Sequence, residues 1–418
     1  MFSKRSICAL DIGSSKISVA VARLAQGKIA EVFFESIPSC GLRRGSVVDS
    51  IELVKALGSL FKKIRNNSGI QIKYVYANIA GEDISARHSH AIIPLAERGN
   101  KVITSFDVEK ANLQARILGS NMEDEIIAEV PFGYAIDNKA DIVNPIGLYS
   151  HRLQVDLYLI CARLSCLQNL TGAISQAGLD LKEVFYSGMI TSKLLFEEKM
   201  KQGLSIFCDI GSDITQLVIL ENGMLKEVHN LPIGGDDITL AISKEIGIPY
   251  SLAEEVKKTY GSIYLAASPA VDKEILIKRD NIYKPISHKL IVDVVTNSAK
   301  CLLEEIKKNA FVNFNSNQVT NFVLYGGTVL QEGFLEKAES VFSFPVQLAR
   351  VSSQRVSSLI NHPKLSGMKY LGYLTCLGIL VEVLENDKLP GFIFPHDASR
   401  KPLQRLVDQA KALYLEYF

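Results

Sequence analysis

Residues 8–21 of this 418-residue chain read CALDIGSSKISVAV, and the same pattern returns at residues 206–220 as IFCDIGSDITQLVIL. Each copy consists of an apolar run, the tetrapeptide Asp-Ile-Gly-Ser and a second apolar run. The runs are rich in Val and Ile and have the length of strands, while the Gly-Ser pair between them suits a tight turn. Each copy therefore predicts a β-hairpin, and two such hairpins predict two related domains.

The tips of the two hairpins carry residue types that bind a polyphosphate. Glycine lets the backbone approach a ligand closely, and the N–H groups and hydroxyls after it donate to phosphate oxygens. An aspartate at the end of the first strand is well placed to hold Mg²⁺ through its waters, and a lysine adds positive charge. The candidates are Asp11, Gly13, Ser14, Ser15 and Lys16 in the first copy and Asp209, Gly211, Ser212, Asp213 and Thr215 in the second, with Asp11 and Asp209 as candidate magnesium residues.

A single hairpin of this kind is often only a hairpin. Duplication changes that assessment, because two copies of one Asp-Gly-Ser turn suit a nucleotide held between two similar domains. A third turn supports this interpretation: the apolar run FVLY ends in Gly326-Gly327-Thr328 and is followed by a predicted helix over residues 330–342. Glycines there would let a flat adenosine lie against the backbone, although strand-glycine-helix elements are common in α/β domains.

Composition limits the other possibilities. The 46 basic residues nearly cancel the 45 acidic ones, which argues against a nucleic-acid partner. Cys161 and Cys166 have no second pair at zinc-site spacing, and the single cysteines are typical of the cytosol. His88 and His90 share a face of a predicted strand, but no carboxylate is tied to them, which favours a structural role. The apolar stretch at residues 370–384 is too short to span a bilayer and predicts a buried helix.

The three turns, in this order, resemble those of the actin, Hsp70 and sugar-kinase superfamily. The resemblance implies an actin-like α/β fold of two ribonuclease-H-like domains, with ATP and Mg²⁺ in the cleft between them and hinge motion of the two halves. Gly234, Gly235 and Asp236 resemble the second-domain glycine segment that approaches the nucleotide, and Glu254 and Lys257 resemble a pair beside ribose and adenine. An ion pair on a solvated helix face is the alternative for that pair.

An inserted segment indicates the branch of the superfamily. Residues 84–161 predict a small α+β module of strand, helix, strand and strand, with a capping box at Thr104 where the helix begins. The module and the segments GLRRG at 41–45, EVPFGYAID at 129–137 and NPIGL at 144–148 resemble the FtsA family of bacterial cell-division proteins.

The predicted organisation follows from these assignments. It comprises a first actin-like domain in residues 1–83 and 162–196, the inserted module in 84–161, a second actin-like domain in 197–229 and 301–388 with a subdomain in 230–300, a linker in 389–401 and an amphipathic helix in 402–418. FtsA uses such a helix to lie on the inner face of the membrane. Its apolar face here consists of Leu403, Leu406, Val407, Ala410, Leu413, Tyr414, Tyr417 and Phe418. The alternative is a last helix packed on the protein's own core.

The FtsA resemblance implies a cytoplasmic protein, peripheral on the inner face of the cell membrane at the division site. It implies an ATP-dependent polymer that tethers the FtsZ division ring there, with later division proteins at the inserted module. Binding is a firmer expectation than hydrolysis, since no motif marks a catalytic residue and Asp213 stands where FtsA relatives have smaller residues, so that it would repel phosphate or help hold the metal. A kinase of the same superfamily and a pilus-assembly scaffold remain as alternatives.

Overall fold

The computed structural model describes residues 6–25, 28–96, 99–137, 139–264, 273–279, 282–351 and 362–386. Its strands are β1 (Ser6–Ile12), β2 (Lys16–Ala25), β3 (Lys28–Pro38), β4 (Leu42–Arg43), β5 (Ser46–Val47), β6 (Tyr74–Ile79), β7 (Ile84–Pro94), β8 (Lys101–Val102), β9 (Asp124–Ile136), β10 (Lys139–Ile142), β11 (Tyr149–Ser150), β12 (Arg152–Arg163), β13 (Asp180–Tyr186), β14 (Leu204–Ile210), β15 (Thr215–Glu221), β16 (Met224–Leu231), β17 (Glu274–Arg279), β18 (Ile282–Ser287), β19 (Val319–Tyr325) and β20 (Gln347–Leu348). Its α-helices are α1 (Ser50–Ser68), α2 (Ser105–Gly119), α3 (Leu164–Gln176), α4 (Ser187–Leu195), α5 (Gly235–Ile246), α6 (Tyr250–Tyr260), α7 (His288–Ala310), α8 (Phe334–Phe342) and α9 (Leu374–Asn386).

The two main sheets repeat one topology. The first has the strand order β3-β2-β1-β6-β13 and the second the order β16-β15-β14-β19-β20, and in each the first three strands are antiparallel and the rest parallel. The hairpin registers also coincide: Asp11 pairs with Ser18, Asp209 pairs with Gln216, and adding 198 to the first pair gives the second. This repeat confirms the prediction of two related α/β domains.

The helices cover the sheets with apolar faces. In α1, Leu53, Leu57, Leu60 and Ile64 are buried at helical spacing against the first domain. The core of the first domain also takes in Phe207, Val218 and Val323 of the second domain, so the two domains meet through a continuous apolar contact. Separate cores fill the remainder of the second domain and the inserted module. The domains therefore share an interface below the cleft that separates their hairpin tips.

The inserted module has the predicted order of main elements. Strands β7, β9 and β12 form one sheet with β10, and α2 packs on β7 and β12. The helix begins at a capping box, in which the Thr104 hydroxyl accepts from the Asp107 backbone N–H and the Asp107 carboxylate accepts from Thr104 N–H at 2.9 Å. The module also contacts the second domain, because the Tyr158 hydroxyl accepts a hydrogen bond from Val228 N–H at 3.1 Å.

The segment 367–385 is long and apolar enough to cross a membrane by length and composition alone. In the structure 67% of its most apolar window is buried, and side chains such as Cys376, Leu377 and Leu380 lie in the core of the first domain. The buried-helix interpretation therefore describes it best.

One predicted helix begins later than expected, and two predicted segments lie where the structure gives no description. The helix predicted from residue 330 begins only at Phe334, because Gly333 takes a left-handed φ of 77° and a 3-10 turn, Thr328–Leu330, comes before it. The linker predicted at residues 389–401 and the amphipathic helix predicted at 402–418 lie outside the described residues.

Candidate functional site

A cavity of about 340 Å³ lies between the two domains, with both hairpin tips and the third turn on its walls. Antiparallel hairpins place their tips at one end of each sheet, and the shared apolar interface brings those ends together. The structure brings most of the predicted residues to this cavity: Asp11, Gly13, Ser14, Ser15, Lys16, Asp209, Gly211, Ser212, Asp213, Gly235, Glu254, Lys257, Gly326, Gly327 and Thr328.

Three predicted residues lie behind the second hairpin tip. The Thr215 hydroxyl is buried and donates to the Ile233 carbonyl at 2.9 Å. A Cβ atom on Gly234 would lie 2.6 Å from the Ser212 carbonyl oxygen, and Asp236 N–H donates to that same oxygen at 2.6 Å. The structure thus places these residues in the support of the tip, not among the residues that line the cavity.

Asp11 and Asp209 form an acidic pair in the cleft. Burial raises the pKa of Asp11 to about 6, and the Lys16 ammonium opposes that rise. Burial also raises the pKa of Asp209 to about 7, where the Asp11 carboxylate raises it further and Lys16 again opposes. Each carboxylate is therefore costly to ionise without a further cation. Such a donor set fits Mg²⁺, which prefers one or two carboxylates together with phosphate oxygens.

Lys16 is the cation of the first hairpin. Burial lowers the pKa of its ammonium, while the Asp11 and Asp209 carboxylates counteract that effect. Its Nζ lies 5.3 Å from the centroid of the Tyr373 ring, a cation–π distance. A Cβ atom on Gly372 would lie 2.0 Å from the same Nζ, so a glycine at that position leaves room for the lysine. The ammonium is thereby held within the cleft.

The turn after β19 approaches the second hairpin so closely that only glycine fits. Gly326 has a φ of +97°, and a Cβ atom there would lie 2.4 Å from the Ile210 carbonyl oxygen and 2.5 Å from the Asp209 Oδ1 atom. A side chain at this position would therefore meet both the backbone of the hairpin and its carboxylate. Gly327, by contrast, has no atom within 4 Å of such a Cβ position. Gly326 thus permits the close approach to the second hairpin, and Gly327 leaves open space beside the turn.

Three glycine-rich segments meet at one carbonyl group. The Gly211 carbonyl accepts from the Thr328 hydroxyl at 2.7 Å and from Gly235 N–H at 3.0 Å. A Cβ atom on Gly235 would lie 2.5 Å from the Thr328 Oγ1 atom. The second hairpin, the start of α5 and the third turn therefore form one backbone-lined surface, which is a cradle that larger side chains would fill.

Glu254 and Lys257 form an ion pair in the cleft, with the Lys257 side chain buried and not on a solvated face. They form the i,i+3 ion pair at 2.6 Å, and the pair also lines the cleft. The Lys257 Nζ donates to the Gly235 carbonyl at 2.9 Å and to the Thr239 hydroxyl at 2.7 Å. Burial raises the pKa of Glu254, but hydrogen bonds from Lys257 and Thr239 outweigh it and lower that pKa below the usual value. Contact of this pair with ribose and adenine stays a prediction.

Asp213 bridges the two domains at the edge of the cleft. Its Oδ2 atom accepts a hydrogen bond of 2.5 Å from the Arg44 backbone N–H, in the loop between β4 and β5. Arg44 holds a left-handed φ of 49°, and its guanidinium lies 3.3 Å from Glu82 Oε2. In the structure the Asp213 carboxylate thus serves as a contact between domains, which neither of the roles expected from sequence included.

Sequence reasoning missed the polar residues that end the parallel strands. Asn78 at the end of β6 donates to Asp11 Oδ1 at 2.9 Å, and Ser187 at the start of α4 and Tyr325 at the end of β19 also line the cleft. An amide inside an apolar strand was the available signal, because a buried amide needs partners. The partner could not be identified, because it comes from a distant part of the chain.

The histidines lie away from the cleft, and one of them differs from expectation. His88 Nδ1 lies 3.1 Å from Asp156 Oδ1, because β12 pairs with β7, so the expectation that no carboxylate accompanies the histidines is wrong. Within the described ranges, no group of three or more His, Cys, Asp or Glu side chains is arranged to hold a metal. Cys161 and Cys166 are free thiols, the first buried and the second partly exposed.

Comparison with protein families identifies two segments. A family model described as "Cell division protein FtsA" matches residues 206–368, and one described as "SHS2 domain inserted in FTSA" matches residues 81–161. A Pseudomonas aeruginosa protein named "Cell division protein FtsA" is 24% identical over 97% of this chain and 97% of its own length. A Buchnera aphidicola protein of the same name is 27% identical over 91% of each.

Solved structures share the fold at lower identity. A chain of the "PilM-PilN type IV pilus biogenesis complex" has a TM-score of 0.62 and 17% identity, and the match covers 90% of this chain and 98% of that one. A chain of the "MamK double helical filament" has a TM-score of 0.51 and 11% identity, with 92% and 100% covered. These likenesses confirm an actin-like fold.

Gly326→Ala tests the close approach of the third turn. We expect the free energy of unfolding of the protein without nucleotide to fall by about 2 kcal/mol, because the substitution combines a positive φ with two contacts that are too short. Gly327→Ala is the matched control and should cost less than about 0.5 kcal/mol. Chemical denaturation followed by circular dichroism measures both. Equal losses in the two variants would contradict this account of the turn.

Asp209→Asn tests the cost of the acidic pair. The raised pKa values mean that the folded state holds protons that the unfolded state has lost between about pH 4 and 7, so stability from this pair falls as pH rises through that window. We expect the variant without magnesium to melt about 2 °C or more above the wild type at pH 8, with the difference shrinking as pH falls and vanishing only below about pH 4. The exposed Asp180→Asn is the control for thermal scans. A destabilised Asp209→Asn at pH 8 contradicts the prediction.

Proposed function

This chain belongs to the FtsA family of cell-division proteins, and from that premise we propose that it is an ATP-binding actin-like subunit that polymerises and tethers the FtsZ division ring to the cytoplasmic membrane. The observation that carries the proposal is the pair of Asp11 and Asp209, which stand at equivalent hairpin tips and line one cleft. This pair needs a cation, and Mg²⁺ bound to a nucleotide polyphosphate supplies one.

The lining residues support the nucleotide part of the proposal. Mg²⁺ would be held by Asp11 and Asp209 through water, and it supplies the positive charge that lets two carboxylates and a polyphosphate share one cleft. Hairpin backbone amides and small hydroxyls donate to phosphate oxygens, and the glycine turn gives a flat surface for adenosine. The residues proposed to bind the nucleotide are Gly13, Ser14, Ser15, Lys16, Gly211, Ser212, Gly235, Glu254, Lys257, Gly326, Gly327 and Thr328.

Closure of the cleft links the nucleotide to assembly. A ligand that contacts both hairpin tips stabilises the arrangement in which Asp213 reaches Arg44, and it thereby favours one relative position of the domains. Subunits held in one shape can stack by a repeated contact, whereas a mixture of shapes cannot. The MamK chain that shares this fold belongs to a double helical filament. Self-association in a nucleotide-dependent filament is therefore the proposed working state.

Membrane attachment is assigned to the predicted tail helix. Insertion of five or six of its large apolar side chains would contribute several kcal/mol. Electrostatic attraction adds little, because Arg400, Lys401, Arg405 and Lys411 are offset by Asp408 and Glu416. One copy then binds a membrane weakly and reversibly, and a polymer of copies binds firmly by avidity. The proposed location is the inner face of the cytoplasmic membrane at the division site.

The proposed partners follow from the family and from the module. FtsZ is the proposed partner at the division ring, and later division proteins would contact the inserted module. On the module's surface, Phe106, Leu113 and Ile117 are exposed along one face of α2, as expected of a surface that meets other proteins. The pilus-assembly alternative differs in having no membrane-binding tail, and a kinase would phosphorylate an added small substrate.

Asp11→Ala tests nucleotide binding directly. We expect calorimetric titration to give Mg-ATP affinity at least tenfold below that of the wild type, because the variant lacks one of the two carboxylates proposed to hold magnesium. The exposed Asp180→Ala is the matched control and should bind as the wild type does. Unchanged Mg-ATP affinity in Asp11→Ala would contradict the proposed nucleotide site.

Removal of the tail tests membrane tethering. We expect the full chain to sediment with anionic phosphatidylglycerol vesicles, more strongly with Mg-ATP, and a chain ending at Ser399 to remain in the supernatant. A full-length double variant, Leu406→Glu with Leu413→Glu, should behave like the truncated chain because it loses the apolar face but keeps the length. Equal sedimentation of all three chains, or of none, contradicts the tether and supports a tail docked on the protein.

A further inference from the structure

The repeated topology places two residues in equivalent positions beside the acidic pair. β6 lies next to β1 with Leu10 opposite Ala77, and β19 lies next to β14 with Cys208 opposite Leu324. Adding 198 to Leu10 gives Cys208, so the residue after Ala77 is equivalent to the residue after Leu324. Asn78 therefore occupies the same position beside Asp11 that Tyr325 occupies beside Asp209.

Asn78 uses its whole amide group in the first domain. Its Nδ2 donates to Asp11 Oδ1 at 2.9 Å and to Ser187 Oγ at 2.8 Å, and its Oδ1 accepts from Ile12 N–H at 2.6 Å. The backbone N–H of Ile12 can only donate, so the amide oxygen must face it and the NH₂ group must face Asp11. The orientation of the side chain is thus fixed by chemistry, and its exposed fraction is only 2%.

Tyr325 makes no equivalent contact in the second domain. Its buried hydroxyl has no hydrogen-bond partner among the described residues, although the residue lines the cleft. Gly326 instead lies so close to Asp209 that a Cβ atom on it would be 2.5 Å from the Asp209 Oδ1 atom. The two aspartates are therefore equivalent in position, but only Asp11 receives a side-chain hydrogen bond from the residue at the end of the neighbouring strand.

We propose that Asn78 is a positioning residue of the nucleotide site, which holds the Asp11 carboxylate in one orientation for a magnesium-bound nucleotide. The inference rests on the proposed nucleotide function and deepens it. An NH₂ group can only donate, so the hydrogen bond fixes the position of the accepting Oδ1 atom of Asp11 and adds no charge of its own. Through Ile12 and Ser187 the same amide ties the first hairpin to the start of α4.

The test compares ATP affinity with magnesium and with a chelator, because a positioning role affects only the magnesium-dependent part. We expect Asn78→Ala to reduce the factor by which magnesium strengthens ATP binding by about tenfold, while affinity in the chelator changes less than about twofold. Asn112→Ala, a buried asparagine of the inserted module, is the control and should keep the wild-type factor. Isothermal titration measures all of these affinities.

Asn78→Asp provides a second variant of nearly the same shape. It replaces the donating NH₂ group with a carboxylate oxygen that can only accept, so Asp11 loses its donor while Ile12 N–H keeps an acceptor. The factor by which magnesium strengthens ATP binding should therefore fall at least as far as in Asn78→Ala.

The outcomes separate this inference from the function on which it rests. A wild type without measurable ATP binding overturns the proposed function. A wild type that binds, with Asn78→Ala keeping the magnesium factor, overturns the role of Asn78. Equal losses with magnesium and with chelator also overturn it, because they indicate general damage. If Asn78→Ala does not fold, Asn78→Asp decides, and a magnesium factor equal to that of the wild type contradicts the proposal.

Discussion

Two carboxylates that face one cleft, Asp11 and Asp209, are the constraint around which this molecule is arranged. Each ends the first strand of a hairpin, and the hairpins belong to domains with the same sheet order. Burial makes both groups costly to ionise, repulsion from Asp11 adds to the cost at Asp209, and Lys16 offsets only part of it. A cation bound between them would relieve the repulsion and hold the two domains together. Under the proposed function, binding of the cation would therefore favour closure of the cleft.

The two hairpins carry different residues at two equivalent positions of their tips. Lys16 of the first hairpin corresponds to the apolar Ile214 of the second, and Ser15 corresponds to Asp213, as the shared offset of 198 residues shows. The first tip therefore brings a positive charge and the second an additional negative one. That negative charge is used between the domains, where it accepts from the Arg44 backbone. Under the proposed function, the first tip would bind anionic phosphate, while Asp213 of the second contacts the other domain.

The fold and most of the cleft could be predicted from the sequence, because the decisive features are local. A hairpin tip is specified by neighbouring residues, and its repetition reveals the second domain. Contacts between distant segments could not be predicted. Asn78 has its partners in the first hairpin and in α4, and Asp213 has its partner in the β4–β5 loop. The residues next to Asn78 and Asp213 in the sequence do not indicate these partners. For the same reason the sequence predicts Thr215 as a nucleotide contact, whereas in the structure its hydroxyl donates to the Ile233 carbonyl.

Hydrogen–deuterium exchange of the full chain with and without Mg-ATP tests the central claim that one nucleotide is held by both halves. The account predicts slower exchange at residues 11–18, 209–216 and 326–330 together, at one nucleotide concentration, since a single ligand contacts all three segments. Protection of one hairpin alone, or protection of the two at different concentrations, would contradict a nucleotide shared between the domains.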